Sequence, residues 1–123
     1  MGIAFYDQKH KKSVDFGYCA FRNFRIEMAH RIDEELGELY SDIVRILRDG
    51  ENWEKDFREL TKHPRFAEQC NVLDFLLQSD CEGQCSANIC KDIYALMQDY
   101  AEGKDLLELM HYCADNNREL RWC

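Results

Sequence analysis

Apolar residues recur every three or four positions over most of this chain, and a repeat of that period specifies helix. The series Phe21, Phe24, Met28, Ile32, Leu36, Leu39, Ile43 and then Ile46 or Leu47 follows one face of a helix. Gly37 sits inside the series and costs about 1 kcal/mol relative to alanine in a helix interior, so a kink or break is expected near it. Asp49-Gly50 closes the segment. Glu51 to Lys62 repeats the pattern, with Trp53, Phe57 and Leu60 on one side. His63-Pro64 interrupts it, because a residue before proline avoids the helical region, and Pro64 suits the first turn of the next helix. That helix carries Phe66, Cys70, Val72, Leu73, Phe75, Leu76 and Leu77 around much of its circumference, which predicts the most buried element. Ser86 caps another helix with Ile89, Cys90, Ile93, Leu96, Met97 and Tyr100 in one stripe. Gly103 breaks it, and a last helix from about Asp105 to Asn116 turns Leu106, Leu109, Met110 and Cys113 inward.

The two ends read differently. Ile3-Ala4-Phe5-Tyr6 and Ser13-Val14-Asp15-Phe16 flank the polar, basic segment Asp7 to Lys12, as in a short hairpin. Leu120-Arg121-Trp122 alternates and is positioned to pair with those strands. The expectation is a mainly α, compact single domain over residues 1–123. A hairpin occupies 1–17, a helical body of five or six helices 18–118, and a tail 119–123, with a small β element formed by the hairpin and the tail. A hydrophobic share of 46%, with seven Phe, six Tyr and two Trp, is enough to build a packed core.

Charge is uneven along the chain. Residues 1–31 hold six Lys/Arg against three Asp/Glu, for +3, and residues 32–123 hold ten against 21, for −11. The bulk of the chain would therefore repel phosphate, which argues against nucleic acid as a partner. Lys9, Lys11, Lys12, Arg22 and Arg25 lie among aromatics, but Phe21 and Phe24 fall on the core stripe, so they read as packing rather than base stacking. The segment Asp33–Glu59 holds ten acids and four bases. Part of it fits a solvated helix face with i,i+4 pairs such as Glu51–Lys55 and Glu54–Arg58. The alternative is a docking face of Glu34, Glu35, Glu38, Asp42, Glu51 and Glu54 for a basic protein partner. No charged leader followed by an apolar run is visible, and no apolar stretch nears the ~20 residues that span a bilayer. A cytoplasmic protein with reduced thiols and no membrane partner is expected, the seven cysteines being an odd number.

The densest local signal is Ser79-Asp80-Cys81-Glu82-Gly83-Gln84-Cys85-Ser86-Ala87-Asn88-Ile89-Cys90. With Gly83 sixth in a calcium loop, Asp80 falls third and Glu82 fifth, but Gln78 stands first and Ile89 twelfth, where carboxylates are needed. The plainer reading is a turn built on Ser79, Asp80, Cys81, Glu82 and Gly83 between two helices, the second capped by Ser86. Cys81-x3-Cys85-x4-Cys90 is one loose half of a thiolate site, and Cys70, Cys90 and Cys113 belong to apolar stripes where cysteine acts as a small hydrophobe. The Ser-Asp-Cys-Glu-Gly run, with Ser86 and Cys90, resembles a family of small bacterial and phage-encoded proteins of no established activity. The segment Phe21 to Arg25 and the tail Tyr112 to Asn117 support the likeness. The resemblance implies a bacterial or mobile-element origin and carries over no catalytic residue.

Catalytic patterns are weak. Glu27-x-x-His30 and Glu108-x-x-His111 have the spacing of di-iron ligands but lie opposite the apolar stripes of their helices. There is no G-x-S-x-G elbow and no phosphate-cradling glycine loop. Cys81 is the best candidate for an exposed thiol, yet Asp80 and Glu82 beside it disfavour the thiolate. No catalytic residue, metal site or cofactor is assigned. The expectation is a small acidic, non-enzymatic protein-binding module, for example an inhibitor of the immunity or anti-defence type. The alternatives are a metal-binding protein using Asp80 and Glu82 or a Cys cluster, and a structural or assembly protein of a phage or mobile element.

Overall fold

A computed structural model describes residues 2–46, 50–78 and 82–123, with the backbone alone described over 43–46 and 50–54. The hairpin forms as the alternation requires. β1 (Gly2–Asp7) pairs antiparallel with β2 (Ser13–Gly17), with Ile3 opposite Phe16 and Phe5 opposite Val14. The two chain ends meet, as expected from the tail. β4 (Leu120–Trp122) lies antiparallel to the other edge of β1, with Phe5 opposite Trp122 and Asp7 opposite Leu120. A further strand, β3 (Gly83–Cys85), pairs with the far side of β4 and gives a four-stranded sheet in the order β2-β1-β4-β3. The stretch read as a turn within the helical body therefore contributes an edge strand.

Six α-helices stand among the described residues: α1 (Tyr18–Ile32), α2 (Glu34–Ile46), α3 (Gly50–Thr61), α4 (Cys70–Leu77), α5 (Ala87–Met97) and α6 (Lys104–Asp115). The long apolar series breaks at Asp33, not at Gly37. Asp33 is extended (φ −167°, ψ 136°), and its carboxylate accepts the Leu36 N–H at 3.1 Å, starting α2. Gly37 lies inside α2, where a Cβ would stand 2.7 Å from the Cα of His30. The glycine thus lets α2 approach α1, and its helix-propensity cost is offset by that packing.

Pro64 opens a 3-10 helix (Pro64–Gln69) rather than an α-helix, with the His63 Nδ1 accepting the Arg65 N–H. A 3-10 turn advances about 120° per residue against about 100° for an α-helix, so the phase of the following stripe shifts. Val72, Leu73, Phe75 and Leu76 are buried as expected. Cys70, expected inside, is exposed and donates to the Ala67 carbonyl.

The inner face of the sheet meets α1 and α4 in an aromatic cluster. The Trp122 ring lies 5.7 Å from Phe5, 5.9 Å from Phe21 and 5.4 Å from Phe75, the last two edge to face. Phe16 and Phe24 continue it. Phe21 and Phe24 are fully buried, so they pack, as their period indicated. No helix among the described residues is long and apolar enough to cross a membrane.

One inward strand position holds an acid. Asp7 has no solvent exposure, and its carboxylate accepts the N–H groups of Lys9 (3.2 Å) and Lys12 (2.7 Å) and an Arg118 Nη1–H (3.1 Å). Burial by itself raises its pKa. The backbone N–H groups of Lys12, Lys9 and Lys11 and the Arg118 guanidinium outweigh that and hold it below the usual value. The hairpin turn and the start of the C-terminal strand are thus fastened to one buried carboxylate.

Candidate functional site

Two regions gather the side chains that sequence reasoning singled out. The first is the connection from α4 to α5. α4 ends at Gln78, whose side-chain amide donates to the Gln84 carbonyl (2.6 Å) and accepts the Gln84 N–H (2.9 Å). This pair of bonds imitates a strand ladder and closes the neck of the connection. Arg25 of α1, 4% exposed, donates through Nη2 to the carbonyls of Phe75 (3.1 Å), Leu76 (2.6 Å) and Gln78 (2.5 Å). It satisfies the carbonyls that the end of a helix leaves open, and its charge suits the negative pole of α4. The Tyr40 hydroxyl adds a bond to Leu76 O at 3.3 Å.

Gly83 follows. A Cβ there would lie 2.2 Å from Cζ2 of Trp122, so the indole occupies the space that any other residue would fill. The residue after β3, Ser86, caps α5 as expected: its Oγ accepts the Ile89 N–H at 3.3 Å. Glu82 is exposed and, with Tyr6, Gln84, Arg121 and Cys123, borders a shallow groove of about 360 Å³. Ser79, Asp80 and Cys81 lie outside the described residues. Among the described residues, Gly83 and Ser86 have packing and capping roles.

The connection also collects sulfur. Cys85 and Cys90 are buried with their Sγ atoms 3.6 Å apart, and Cys113 of α6 is buried as well. For Cys90, the Cys113 thiol favours the thiolate, but the Cys85 thiol and burial prevail and push its pKa up. For Cys113, the Cys90 thiol and burial both push it up. Among the described residues, no three His, Cys, Asp or Glu side chains are grouped so as to hold a metal ion. The two Glu-x-x-His pairs do not converge either. Glu27 pairs with Arg31 at 2.7 Å, while His111 stacks on Tyr94 and faces Asp115. Glu108 borders a separate groove with Lys12 and Asp105.

The second region is the acidic face of α2. Glu34, Glu38 and Asp42 are all exposed and follow one another at intervals of four, so they form one row about 12 Å long. Glu35 is exposed but engaged: Arg65 holds it at 2.8 Å and holds Asp33 at 3.3 Å, tying α2 to the 3-10 helix. Glu51 and Glu54 belong to α3, and their side chains lie outside the described residues. Of the six acids expected to form one face, three therefore make a continuous row and a fourth serves an internal ion pair.

Sequence reasoning missed Asp7, Arg25 and Gln78. Asp7 continues the inward alternation Ile3, Phe5, so its burial had a signal. Arg25 stands four residues after Phe21, on the core stripe, and had one too. Gln78 had none, because its partner Gln84 belongs to a strand that exists only through β4. No family model, curated protein or solved structure matches this chain.

Proposed function

We propose that this chain is a protein-binding module whose α2 row, Glu34, Glu38 and Asp42, docks on a basic site of a partner protein and covers it, as an inhibitor does. The observation that supports the reading is a local cost. Two successive like-charge pairs at i,i+4 disfavour the helix by roughly 0.2–0.5 kcal/mol each. Among the described residues, no cation pairs with any of the three. A basic surface would turn that repulsion into attraction and would speed encounter through long-range steering. Arg25, Gln78 and Gln84, the described polar groups bonded to one another's segments at the α4–α5 connection, serve the fold, whereas the α2 row has no such duty.

The test is capture of a partner from extract of the native host, with the captured protein identified by mass spectrometry. E34Q/E38Q/D42N should lose that protein while E102Q/D105N/E108Q retains it. Capture by the unaltered protein should weaken as salt rises. Equal capture by both variants would remove the reading.

A further inference from the structure

Two buried sulfurs at the α4–α5 connection lie within reach of one another. Cys85 ends the three-residue strand β3, and Cys90 occupies the first turn of α5, with its N–H bonded to the Ser86 carbonyl at 3.0 Å. The chain reverses around Ser86 and brings the two Sγ atoms to 3.6 Å. A disulfide has its sulfurs about 2.05 Å apart, so closure asks for a movement of about 1.5 Å. β3 supplies it: the strand has three residues, β4 on one side and only the Gln78 side-chain amide on the other.

From this geometry we infer that Cys85 and Cys90 are a redox-sensitive pair that closes to a disulfide and staples the edge strand to the start of α5. The oxidant is a low-molecular-weight disulfide such as glutathione disulfide. When β3 opens, Cys85 loses its proton and its sulfur attacks one sulfur of the small disulfide. That S–S bond breaks, one small thiolate leaves, and a mixed disulfide remains on Cys85. Cys90, deprotonated in turn, attacks the Cys85 sulfur and expels the second small thiolate. Two protein thiols are oxidised, one small disulfide is reduced, and the two protons end on the two small thiols.

The closed fold keeps the pair at rest. Burial and the neighbouring thiols raise the pKa of Cys90 and Cys113, so little thiolate exists until the edge opens. Local opening of a three-residue edge strand costs less than global unfolding, which allows the exchange in folded protein. Cys113 is not consumed in the exchange.

The test uses the full reduced chain, exposed to rising ratios of glutathione disulfide to glutathione, then alkylated and mapped by mass spectrometry. The expected product lacks two hydrogens, about 2 Da, with Cys85 and Cys90 alkylated only after reduction. Its amides at Gln84 and Cys85 should exchange at least about fivefold more slowly. C85A and C90A should each abolish the product, and C113S should retain it. C19S/C70S/C81S/C123S, which keeps only Cys85, Cys90 and Cys113, should still form it. Three results would overturn the inference. One is a Cys85 and Cys90 that stay alkylatable when Cys19, Cys70 and Cys123 carry glutathione. Another is a Cys90–Cys113 bond formed instead, and the third is oxidation seen only in denaturant.

Discussion

The α4–α5 connection and the acidic face of α2 treat polar groups in opposite ways. At the connection, polar atoms are matched: buried Arg25 to three carbonyls, buried Tyr40 to Leu76 O, and the more exposed Gln78 to both backbone groups of Gln84. On α2, Glu34, Glu38 and Asp42 stay exposed, next to one another. A buried polar group that loses its partner is left with an uncompensated desolvation penalty, whereas an exposed carboxylate is screened and contributes little to stability. The contrast teaches that stability and recognition occupy different parts of this molecule. Changes at the connection should be read in the melting curve, and changes on α2 in binding.

The largest expected effect is at the ring on which the connection rests. Trp122→Ala should cost about 4 kcal/mol in chemical denaturation, because the indole packs against Phe5, Phe21 and Phe75. A loss under about 1 kcal/mol would mean that the cluster does not carry the sheet. Next is Asp7. Asp7→Ala leaves the Arg118 cation without its buried acid and should cost about 3 kcal/mol at neutral pH.

The same carboxylate has a pH signature. Its pKa in the fold lies below the unfolded value, so its stabilisation is complete above about pH 4 and is lost as pH falls through the folded value. Asp7→Asn should flatten the acid side of the stability–pH curve, measured by urea unfolding between about pH 2 and pH 5. An unchanged acid limb would remove Asp7 as its source. Gln78→Ala should cost about 1–2 kcal/mol, since it opens both bonds to Gln84. The smallest effect belongs to α2: E34Q/E38Q/D42N should change stability by no more than about 0.5 kcal/mol, and upward if at all. A clear loss would show that the row serves the fold, and the contrast between the two regions would collapse.

What was legible in the sequence was local and periodic. The hairpin, the tail strand, the Ser86 cap and the burial of Phe21 and Phe24 each follow from a repeat or from a capping residue within a few positions. What was not legible depends on neighbours distant in sequence. β3 has three residues, one of them glycine and one glutamine, and it is a strand because β4 offers it an edge. Gly37 looked like a helix breaker because its neighbour His30 cannot be inferred from propensity. Cys70 was misplaced because six residues of 3-10 helix precede it and rotate the stripe. The acids of α2 were legible as exposed, whereas the engagement of Glu35 by Arg65 was not, because thirty positions separate them.

The most direct measurement is partner capture by two variants first verified as folded, E34Q/E38Q/D42N and Gln78→Ala, read beside their thermal midpoints. The triple variant should keep the midpoint and lose the partner, and Gln78→Ala should lower the midpoint and keep the partner. The reverse pattern, or a triple variant that captures as well as the unaltered chain, would contradict the division of labour between the hydrogen-bonded connection and the acidic helix.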